Sequence, residues 1–509
     1  MTLITQPLIL LISLTLLTTW TICKCLAYIH HNRLHTTLGA GHLRKYPHKD
    51  PLLGLDYVYS MLAALRADRF FAFQTETYNT HGGPGKSWSA TFLGNRMIYT
   101  SKPENMKAMS TSHADAFAVE PIRVGNGAIT PFQGRGVSSS DGEHWLYSRN
   151  LVKPYFERGG FANLARLEGH VDRLLACIPT DGGTVDMQPL FQLWFLDTST
   201  DFLFGQSVHS LTDPSKAHPQ KDMVTVMRGL RLRLQLSSFV FLHRDSAWIA
   251  ACKRIHVFLD SYIDDAYAQL KAEKEEGKPA LQANGKPRDD FLWTIARHVP
   301  DKQELRTQLT GVWIPSNETT SILMSNTLFA LARNPRVVEK LRKEILAYGD
   351  GPLTFEGLRS LNYLRWTVNE THRLYPVSLQ TVRSCTKPTT LPTGGGASGN
   401  EPILCRKGDI VHCNRYLMHR DPELWGADAE EFVPERWEKT RPLWNFVPFG
   451  GGPRICPAHV MVDTECSYAV FRILQRFRAV EARDGEVYTP VMRVGPSNRN
   501  GCKVAFVPA

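Results

Sequence analysis

The sequence predicts a mainly α-helical fold with a small β-sheet region, preceded by one N-terminal transmembrane helix. Two segments, Asp301 to Arg333 and Arg336 to Leu346, place apolar side chains at helical spacing. Two segments nearer the carboxyl end, Val382 to Leu391 and Pro402 to Cys413, have the composition of strands. No charged side chain occurs from Met1 to Cys23, and this uncharged run predicts the transmembrane helix.

The composition is that of a globular protein and excludes several classes. Apolar residues make up 43% and charged residues 21% of the 509 residues, so the chain is not disordered, collagen-like or a coiled coil. Its ten cysteines form no Cys-x-x-Cys pair and no zinc-ligand spacing, which favours a reducing compartment. The net charge of +10 fits an anionic membrane surface or an acidic partner equally well and does not indicate nucleic-acid binding.

The amino-terminal segment predicts how the chain is located. The uncharged run approaches the roughly 20 residues that a helix needs to cross a bilayer core. Basic residues follow it, and they are Lys24, Arg33, Arg44 and Lys45. Because basic flanks stay on the cytosolic side, we expect a transmembrane anchor over residues 1–24, a basic, proline-containing linker over residues 25–51 and a cytosolic domain over residues 52–509. A cleaved signal peptide is the alternative, but the basic start and small-residue cleavage site that it needs are missing.

The most specific pattern lies near the carboxyl end and reads Phe449-Gly450-Gly451-Gly452-Pro453-Arg454-Ile455-Cys456-Pro457-Ala458. Three glycines let the backbone approach a flat ligand closely. Cys456 precedes an apolar helical segment in which Pro457 suits the first position, and a helix N-terminus lowers a thiol pKa, so a thiolate is expected. Arg454 can neutralise a ligand carboxylate. A haem group with a cysteine axial ligand satisfies all of these features, and a buried structural cysteine is the alternative.

This F-x-x-G-x-R-x-C pattern resembles the cytochrome P450 superfamily, and the resemblance covers nearly the whole chain. Glu370-Thr371-His372-Arg373 is similar to the family's E-x-x-R pair, and Pro434-Glu435-Arg436-Trp437 is similar to the segment that follows it. The resemblance implies that Glu370, Arg373 and Arg436 form a buried structural triad. It also implies the cytochrome P450 fold, in which haem lies between a long kinked helix and a Cys-bearing loop.

The resemblance also implies the haem-binding residues. Cys456 would be the axial ligand of the iron in haem b, with Arg454 and Phe449 in the same loop. Trp145 and Arg149, one helical turn apart, are similar to the pair that binds the haem propionates, and Arg383 matches a further position near a propionate. The residues expected to bind haem are therefore Cys456, Arg454, Trp145, Arg149, Phe449 and Arg383.

The long helix carries the residues expected to serve proton delivery. Pro315-Ser316-Asn317-Glu318-Thr319-Thr320 occupies the place of the family's [A/G]-G-x-[D/E]-T-[T/S] pattern. Glu318 and Thr319 retain the acid and threonine that deliver protons to bound dioxygen in that family. Pro315-Ser316 departs from the small residues usual there, and Pro315 frees the Gly311 carbonyl from its helical hydrogen bond. Ala458 departs from the usual glycine. The monooxygenase prediction survives both departures, and whether they alter the rate or the type of reaction is open.

Within the superfamily, the motifs are most similar to the membrane-anchored fungal n-alkane and fatty-acid hydroxylases. The segments that carry this similarity are Thr390 to Gly396 and Met418 to Glu423. We expect a monooxygenase that inserts one oxygen atom from O2 into a C–H bond of a lipophilic substrate, as a tailoring step in fungal secondary metabolism. Terminal hydroxylation of fatty acids or n-alkanes is the alternative.

The remaining expectations concern partners and other function classes. No G-x-G-x-x-G fingerprint follows a strand, so electrons would come from NADPH through a separate cytochrome P450 reductase. The protein is expected to be a monomer in the endoplasmic reticulum membrane. A reductase-independent haem-thiolate isomerase or dehydratase is a further alternative, although Glu318 and Thr319 argue against it. A haem-binding protein without catalysis is the third.

Overall fold

The structure is a computed structural model, and it describes residues 5–157, 163–282, 285, 287–349, 351–493 and 495–509. Helices predominate in these ranges, as predicted. The α-helices are α1 (Thr5–Thr37), α2 (Leu55–Arg66), α3 (Phe70–His81), α4 (Pro103–Ser110), α5 (Glu120–Arg123), α6 (Gly142–Glu157), α7 (Ala165–Ala176), α8 (Met187–Phe204), α9 (His218–Leu236), α10 (Ser246–Glu276), α11 (Phe291–Ala296), α12 (Lys302–Arg333), α13 (Pro335–Ala347), α14 (Phe355–Ser360), α15 (Asn362–Leu374), α16 (Arg415–Met418), α17 (Pro422–Trp425), α18 (Arg436–Lys439) and α19 (His459–Arg476).

The strands are short and form four small sheets within the described residues. They are β1 (Arg44–Lys45), β2 (Ser87–Phe92), β3 (Asn95–Thr100), β4 (Phe117–Ala118), β5 (Val185–Asp186), β6 (Gln380–Cys385), β7 (Thr389–Gly395), β8 (Glu401–Cys405), β9 (Ile410–Asn414), β10 (Phe477–Ala482), β11 (Pro490–Met492), β12 (Pro496–Asn498) and β13 (Lys503–Pro508). The largest sheet has the order β1-β2-β3-β9-β6-β4. A second has the order β10-β13-β5, while β7-β8 and β11-β12 form two hairpins.

Helix α12 is the central element of the helical region. It begins after Asp301, whose side chain accepts a hydrogen bond from the Glu304 amide at 2.7 Å, and it continues to Arg333. The predicted long helix is therefore confirmed. Its first half packs in a hydrophobic cluster with α8, α10 and α11, and its second half packs in another with α15 and α19. A helix that is covered on most sides by other helices gives a rigid wall for a binding site.

Two predicted strands are each divided in the structure. The segment from Val382 to Leu391 contains the end of β6 and the start of β7, and the segment from Pro402 to Cys413 contains most of β8 and β9. Gly408, at φ +90°, lies in the turn between β8 and β9. Composition predicted extended backbone correctly, but it did not locate the turns because the flanking apolar residues continue across them.

At the amino terminus, α1 continues past the predicted anchor and ends at Thr37, and β1 lies within the predicted linker. Residues 1–4 of the predicted anchor lie outside the described residues. Across the described part of the chain, we find no helix with both the length and the apolar character that crossing a bilayer requires. The division into residues 1–24, 25–51 and 52–509 stays a prediction.

Candidate haem site

One cavity lies between α12 and the Cys456 loop and brings most of the predicted site residues together. It has about 1350 Å³ of space free of protein atoms, counting its opening to solvent. On one wall it is lined by Gly311, Pro315 and Thr319 of α12. On the other it is lined by Pro448, Phe449, residues 454–458 and the start of α19. Of the predicted residues, those that line it are Cys456, Arg454, Phe449, Trp145, Arg149, Arg383 and Thr319. The predicted cavity between a long helix and a Cys-bearing loop is therefore present.

The Cys456 loop needs glycine at two of its three glycine positions. Gly450 and Gly452 have φ values of +76° and +68°, in the left-handed region that disfavours other residues. A Cβ atom at Gly452 would also lie 2.2 Å from the Ser110 carbonyl oxygen, so the loop is packed against the end of α4. The loop closes through a hydrogen bond of 3.1 Å from the Cys456 amide to the Phe449 carbonyl. The glycines thus allow the tight turn that presents Cys456 to the cavity.

The position and protonation of Cys456 differ from the prediction in two respects. Helix α19 begins at His459 rather than at Pro457, so Cys456 lies three residues before the helix instead of directly before it. Burial raises the pKa of the Cys456 thiol, although the Ala458 amide and the Arg149 guanidinium act in the opposite direction. The expected lowering of the thiol pKa is wrong for the protein alone, because desolvation outweighs the helix end. A coordinated metal ion is what deprotonates a buried thiol.

Three predicted arginines line the cavity with few counter-charges. Arg454 forms an ion pair with Asp141 at 2.7 Å, and its guanidinium lies over the Trp145 ring, 4.5 Å from the centroid. Burial lowers the pKa of Arg149 and of Arg454. Burial and nearby arginines lower the pKa of Arg383 to about 9. A lowered pKa means that the charged form of each arginine is destabilised in the cavity. An anionic ligand would stabilise these charges, so the cavity fits such a ligand.

Two further arginines of the same cavity, Arg123 and Arg415, were missed in the sequence. Arg123 donates to the Ser138 carbonyl, and burial lowers its pKa. Arg415 donates to the Val447 and Pro448 carbonyls at 3.2 and 3.1 Å, and burial lowers its pKa to about 10. Neither belongs to a recognised motif. Arg415 could have been noticed as a lone arginine directly after an apolar strand. Burial of a charge there costs free energy unless the charge is paired or binds a ligand.

The structure brings Glu370, Arg373 and Arg436 into one buried cluster. The Glu370 carboxylate accepts two bonds from Arg373, at 2.8 and 2.9 Å, and one from Arg436 at 2.9 Å. Trp437 and the Val433 amide complete its hydrogen bonds at 3.0 and 2.9 Å. The remaining hydrogen bonds of Arg373 go to three backbone carbonyls, His419, Ala429 and Glu431. Because the side chains of Glu370 and Arg373 are fully buried, the cluster fixes α15 to the segment before the Cys456 loop.

Glu318 and Thr319 point in different directions. The Thr319 hydroxyl donates to the Pro315 carbonyl at 2.9 Å on the cavity wall. Glu318 is not part of that wall; its carboxylate accepts a hydrogen bond of 3.3 Å from the Gly495 amide. Burial raises the pKa of Glu318 to about 7, and the Gly495 amide acts in the opposite direction. An acid with this pKa can hold or release a proton near neutral pH.

The donor set of the cavity fits haem. Arg415 Nε and the Thr320 hydroxyl are buried without a hydrogen-bond partner among the described residues, although both residues line the cavity. Buried polar atoms are nearly always paired, so these two indicate space for a ligand with polar groups. One thiol, apolar side chains and several arginines are the groups that a flat iron porphyrin with two carboxylates requires. Apart from this thiol site, no group of three or more metal-binding side chains occurs in the described ranges.

Comparisons with known proteins agree with this geometry. The family model described as cytochrome P450 matches residues 53–495. The chain is 47% identical over 468 residues to cytochrome P450 monooxygenase apdE of Emericella nidulans, covering 92% of this chain and 89% of that protein. It is 44% identical to cytochrome P450 monooxygenase iccC of Talaromyces variabilis, covering 91% of each chain. It is 40% identical to cytochrome P450 monooxygenase tenA of Beauveria bassiana, covering 90% of each.

Proposed function

Since this chain belongs to the cytochrome P450 family, we propose that it is a haem-thiolate monooxygenase that inserts one oxygen atom from O2 into a C–H bond of a lipophilic substrate. The predicted family and enzyme class are confirmed by the family match and by the monooxygenases that the chain resembles. The observation that carries the proposal is the single cavity in which Cys456, the arginines and Thr319 meet.

The residues of the cavity have separable roles in this proposal. When bound, haem supplies the reductive activation of dioxygen, which a thiolate ligand favours. Cys456 would hold the iron. Arg149, Arg383 and Arg454 would orient the carboxylates, with Trp145 packed against the Arg454 guanidinium. Phe449 lies 4.9 Å from His372, ring centroid to ring centroid, and forms part of the cavity wall beside the sulfur.

Proton supply falls to Thr319 and Glu318. The Thr319 hydroxyl lies on the cavity wall, where it can donate to a ligand once it rotates away from the Pro315 carbonyl. Glu318 lies outside the cavity wall, next to Thr319 in the chain, and with a pKa of about 7 it can store a proton. A retained acid and threonine support an oxygen-activating enzyme over an isomerase or dehydratase. The departure at Pro315 leaves this pair in place.

The biological role and the electron supply are finer parts of the proposal. A tailoring step in fungal secondary metabolism is supported by the fungal relatives and by the altered residues Pro315 and Ser316. Terminal hydroxylation of fatty acids or n-alkanes is the second candidate, and the narrower resemblance to that hydroxylase group stays a prediction. NADPH–cytochrome P450 reductase is the proposed electron donor, because no nucleotide-binding fingerprint was found in the sequence.

We further propose that the protein is held at the endoplasmic reticulum membrane by residues 1–24, as a monomer with its catalytic domain in the cytosol. The uncharged run and the basic residues after it support this placement. Alkaline carbonate extraction of a tagged full chain tests it. The protein should stay in the membrane fraction, whereas a variant without residues 1–24 should be released. Release of the full chain contradicts the anchor.

Product analysis tests the monooxygenase. Microsomes that contain the full chain and a fungal reductase are supplied with NADPH, isotopically labelled dioxygen and candidate fatty acids or polyketides. Products should carry one labelled oxygen atom and should require NADPH. Microsomes that contain Thr319→Val at the same haem content are the matched control. They should form less product than the wild type for each NADPH consumed. A product that forms without NADPH identifies an isomerase or dehydratase. Haem binding without any product supports the non-catalytic alternative.

A further inference from the structure

The turn between β11 and β12 contacts the proposed catalytic acid. Strand β11 pairs with β12 in antiparallel register, with Met492 opposite Pro496. The Gly495 amide donates to Glu318 Oε2 at 3.3 Å. The Arg493 amide donates to the Gly495 carbonyl at 3.1 Å and tightens the turn. The position of this turn therefore determines whether a hydrogen-bond donor reaches the Glu318 carboxylate.

The turn is also packed directly against α12. A Cβ atom at Gly495 would lie 2.8 Å from Ile322 Cδ1, and Ile322 is one helical turn after Glu318. A side chain at Gly495 would therefore have to displace the end of the Ile322 side chain, and a small shift of the turn would remove the 3.3 Å hydrogen bond. The interaction needs support from outside the hairpin.

Arg231 of α9 supplies that support. One nitrogen of its guanidinium, Nη1, donates to the Met492 carbonyl and to the Arg493 carbonyl, the second at 3.0 Å. The side chain is partly buried, and burial lowers its pKa, as do the neighbouring cations Arg228 and Arg493, while Asp68 acts in the opposite direction. Because Arg231 lies near two other cations, the hydrogen bonds to the two carbonyls of the turn, rather than an ion pair, hold its side chain in place.

We propose that Arg231 is a positioning residue for Glu318: from α9 it fixes the Met492 and Arg493 carbonyls, and so holds the nearby Gly495 amide against the carboxylate. The inference rests on the proposed role of Glu318 as a proton store. It links helix α9 to the acid through two sets of hydrogen bonds on the same turn, although α9 itself is not part of the cavity wall.

The link has a measurable electrostatic consequence. Glu318 is only 4% exposed, and burial is the main cause of its raised pKa. Among the described residues, the Gly495 amide opposes this rise, and no charged side chain of α12 or of the hairpin, including Arg493, contributes to it. Loss of that amide therefore raises the pKa further, since a donor to a carboxylate stabilises its charged form.

Infrared titration of the haem-loaded full chain tests the inference without substrate. The carboxylic-acid C=O band of Glu318 is assigned by its loss in Glu318→Gln, and its intensity is followed with pH. Arg231→Met should move the midpoint upward by ~0.5–1 pH unit, the size expected for loss of one hydrogen bond to a buried carboxylate. Arg231→Gln, which keeps a shorter donor, should give a smaller upward shift.

Arg228→Met is the matched control. Arg228 lies one turn earlier on α9, is exposed, and makes none of the hydrogen bonds to the turn described above, so its replacement should leave the midpoint unchanged. If Arg231→Met does not fold, Arg231→Gln decides the question. A midpoint that does not rise in a folded Arg231 variant overturns the inference, and so does an equal rise in Arg228→Met. These results leave the proposed function intact, which fails instead if the wild type forms no NADPH-dependent product.

Discussion

At the scale of single residues, two kinds of buried charge serve different ends. Glu370 and Arg373 are fully buried, and each finds its hydrogen-bond partners within the protein. Arg383, half-buried, and Arg415, buried, lie in the cavity wall, and desolvation lowers their pKa values to about 9 and 10. The first arrangement is complete in the protein alone. In the second, neither arginine forms an ion pair with a described residue, and an anionic ligand would supply the counter-charge.

Glu370→Gln should be strongly destabilising. The substitution keeps the shape of the side chain but removes the charge from a carboxylate that accepts five hydrogen bonds. Breaking a buried ion pair from one side costs about 3–5 kcal/mol, because the partner charge stays buried. Urea unfolding measures the change. Glu76→Gln, in the exposed pair with Arg69, is the control and should be almost neutral. Equal effects of the two variants would contradict the buried triad.

Glu318 should make stability depend on pH. Its pKa is about 7 in the folded protein and 4.5 as the ordinary value, so the folded state binds more protons between these pH values. Stability contributed by this group is therefore lost as pH rises from about 4.5 to 7 and stays low above that. Urea unfolding measures the free energy of unfolding at pH 5 and at pH 8. Between these two pH values it should fall further for the wild type than for Glu318→Gln. An identical decrease in both proteins would show that Glu318 titrates normally.

The sequence identified residues that belong to motifs and missed those that do not. Cys456, Arg454, Glu370 and Arg373 stand at fixed spacings and were found, and the structure brings each to the cavity or to the buried cluster. Arg415 was not found, because only the folded chain brings β9 to the Cys456 loop. The direction of the Cys456 pKa was also wrong, since desolvation depends on neighbours that the sequence does not display.

At the scale of elements, the Cys456 loop and α12 define the site as two facing walls. The long apolar pattern of α12 predicted this helix correctly. The helix starts directly after Asp301, whose side chain caps it as aspartate commonly does. The start of α19 was placed two residues too early, at Pro457 instead of His459. Proline suits the first helical position, but here Pro457 continues the irregular loop that presents the sulfur.

The two left-handed glycines of the loop should respond differently to alanine. Both substitutions carry the backbone cost of roughly 1–2 kcal/mol for a left-handed residue. At Gly452 a Cβ atom would also lie 2.2 Å from the Ser110 carbonyl, whereas at Gly450 it meets nothing within 4 Å. Gly452→Ala should therefore lose haem content, and Gly450→Ala should retain most of it. The ratio of Soret to protein absorbance measures this. Equal retention by both would contradict the packing of the loop on α4.

At the scale of the whole molecule, the cavity arginines predict that haem and stability are linked. A ligand that binds only the folded state stabilises it by about 4 kcal/mol at a thousandfold excess over Kd. Removal of haem should lower the thermal midpoint. Arg383→Met should raise the midpoint of the haem-free protein, because it removes a cation held at a lowered pKa, and should weaken haem binding. A variant that is less stable than the wild type without haem would contradict this account.

The sequence predicted the fold class of the whole molecule, but it did not predict how the strands pair within the sheets. Helical periodicity and the order of motifs along the chain predicted a mainly helical family fold, which the family match over residues 53–495 confirms. The parallel pairing of β3 with β9 joins residues about 300 positions apart, which no local pattern predicts.

The carbon monoxide difference spectrum of the reduced protein tests the central claim most directly, namely that Cys456 is a thiolate ligand of haem in this cavity. The wild type should show the red-shifted Soret band of a thiolate-ligated haem. Cys456→Ala should lose that band, and Cys466→Ala, which replaces a buried cysteine of α19 outside the cavity, should keep it. A thiolate-type band that persists in Cys456→Ala would contradict the account.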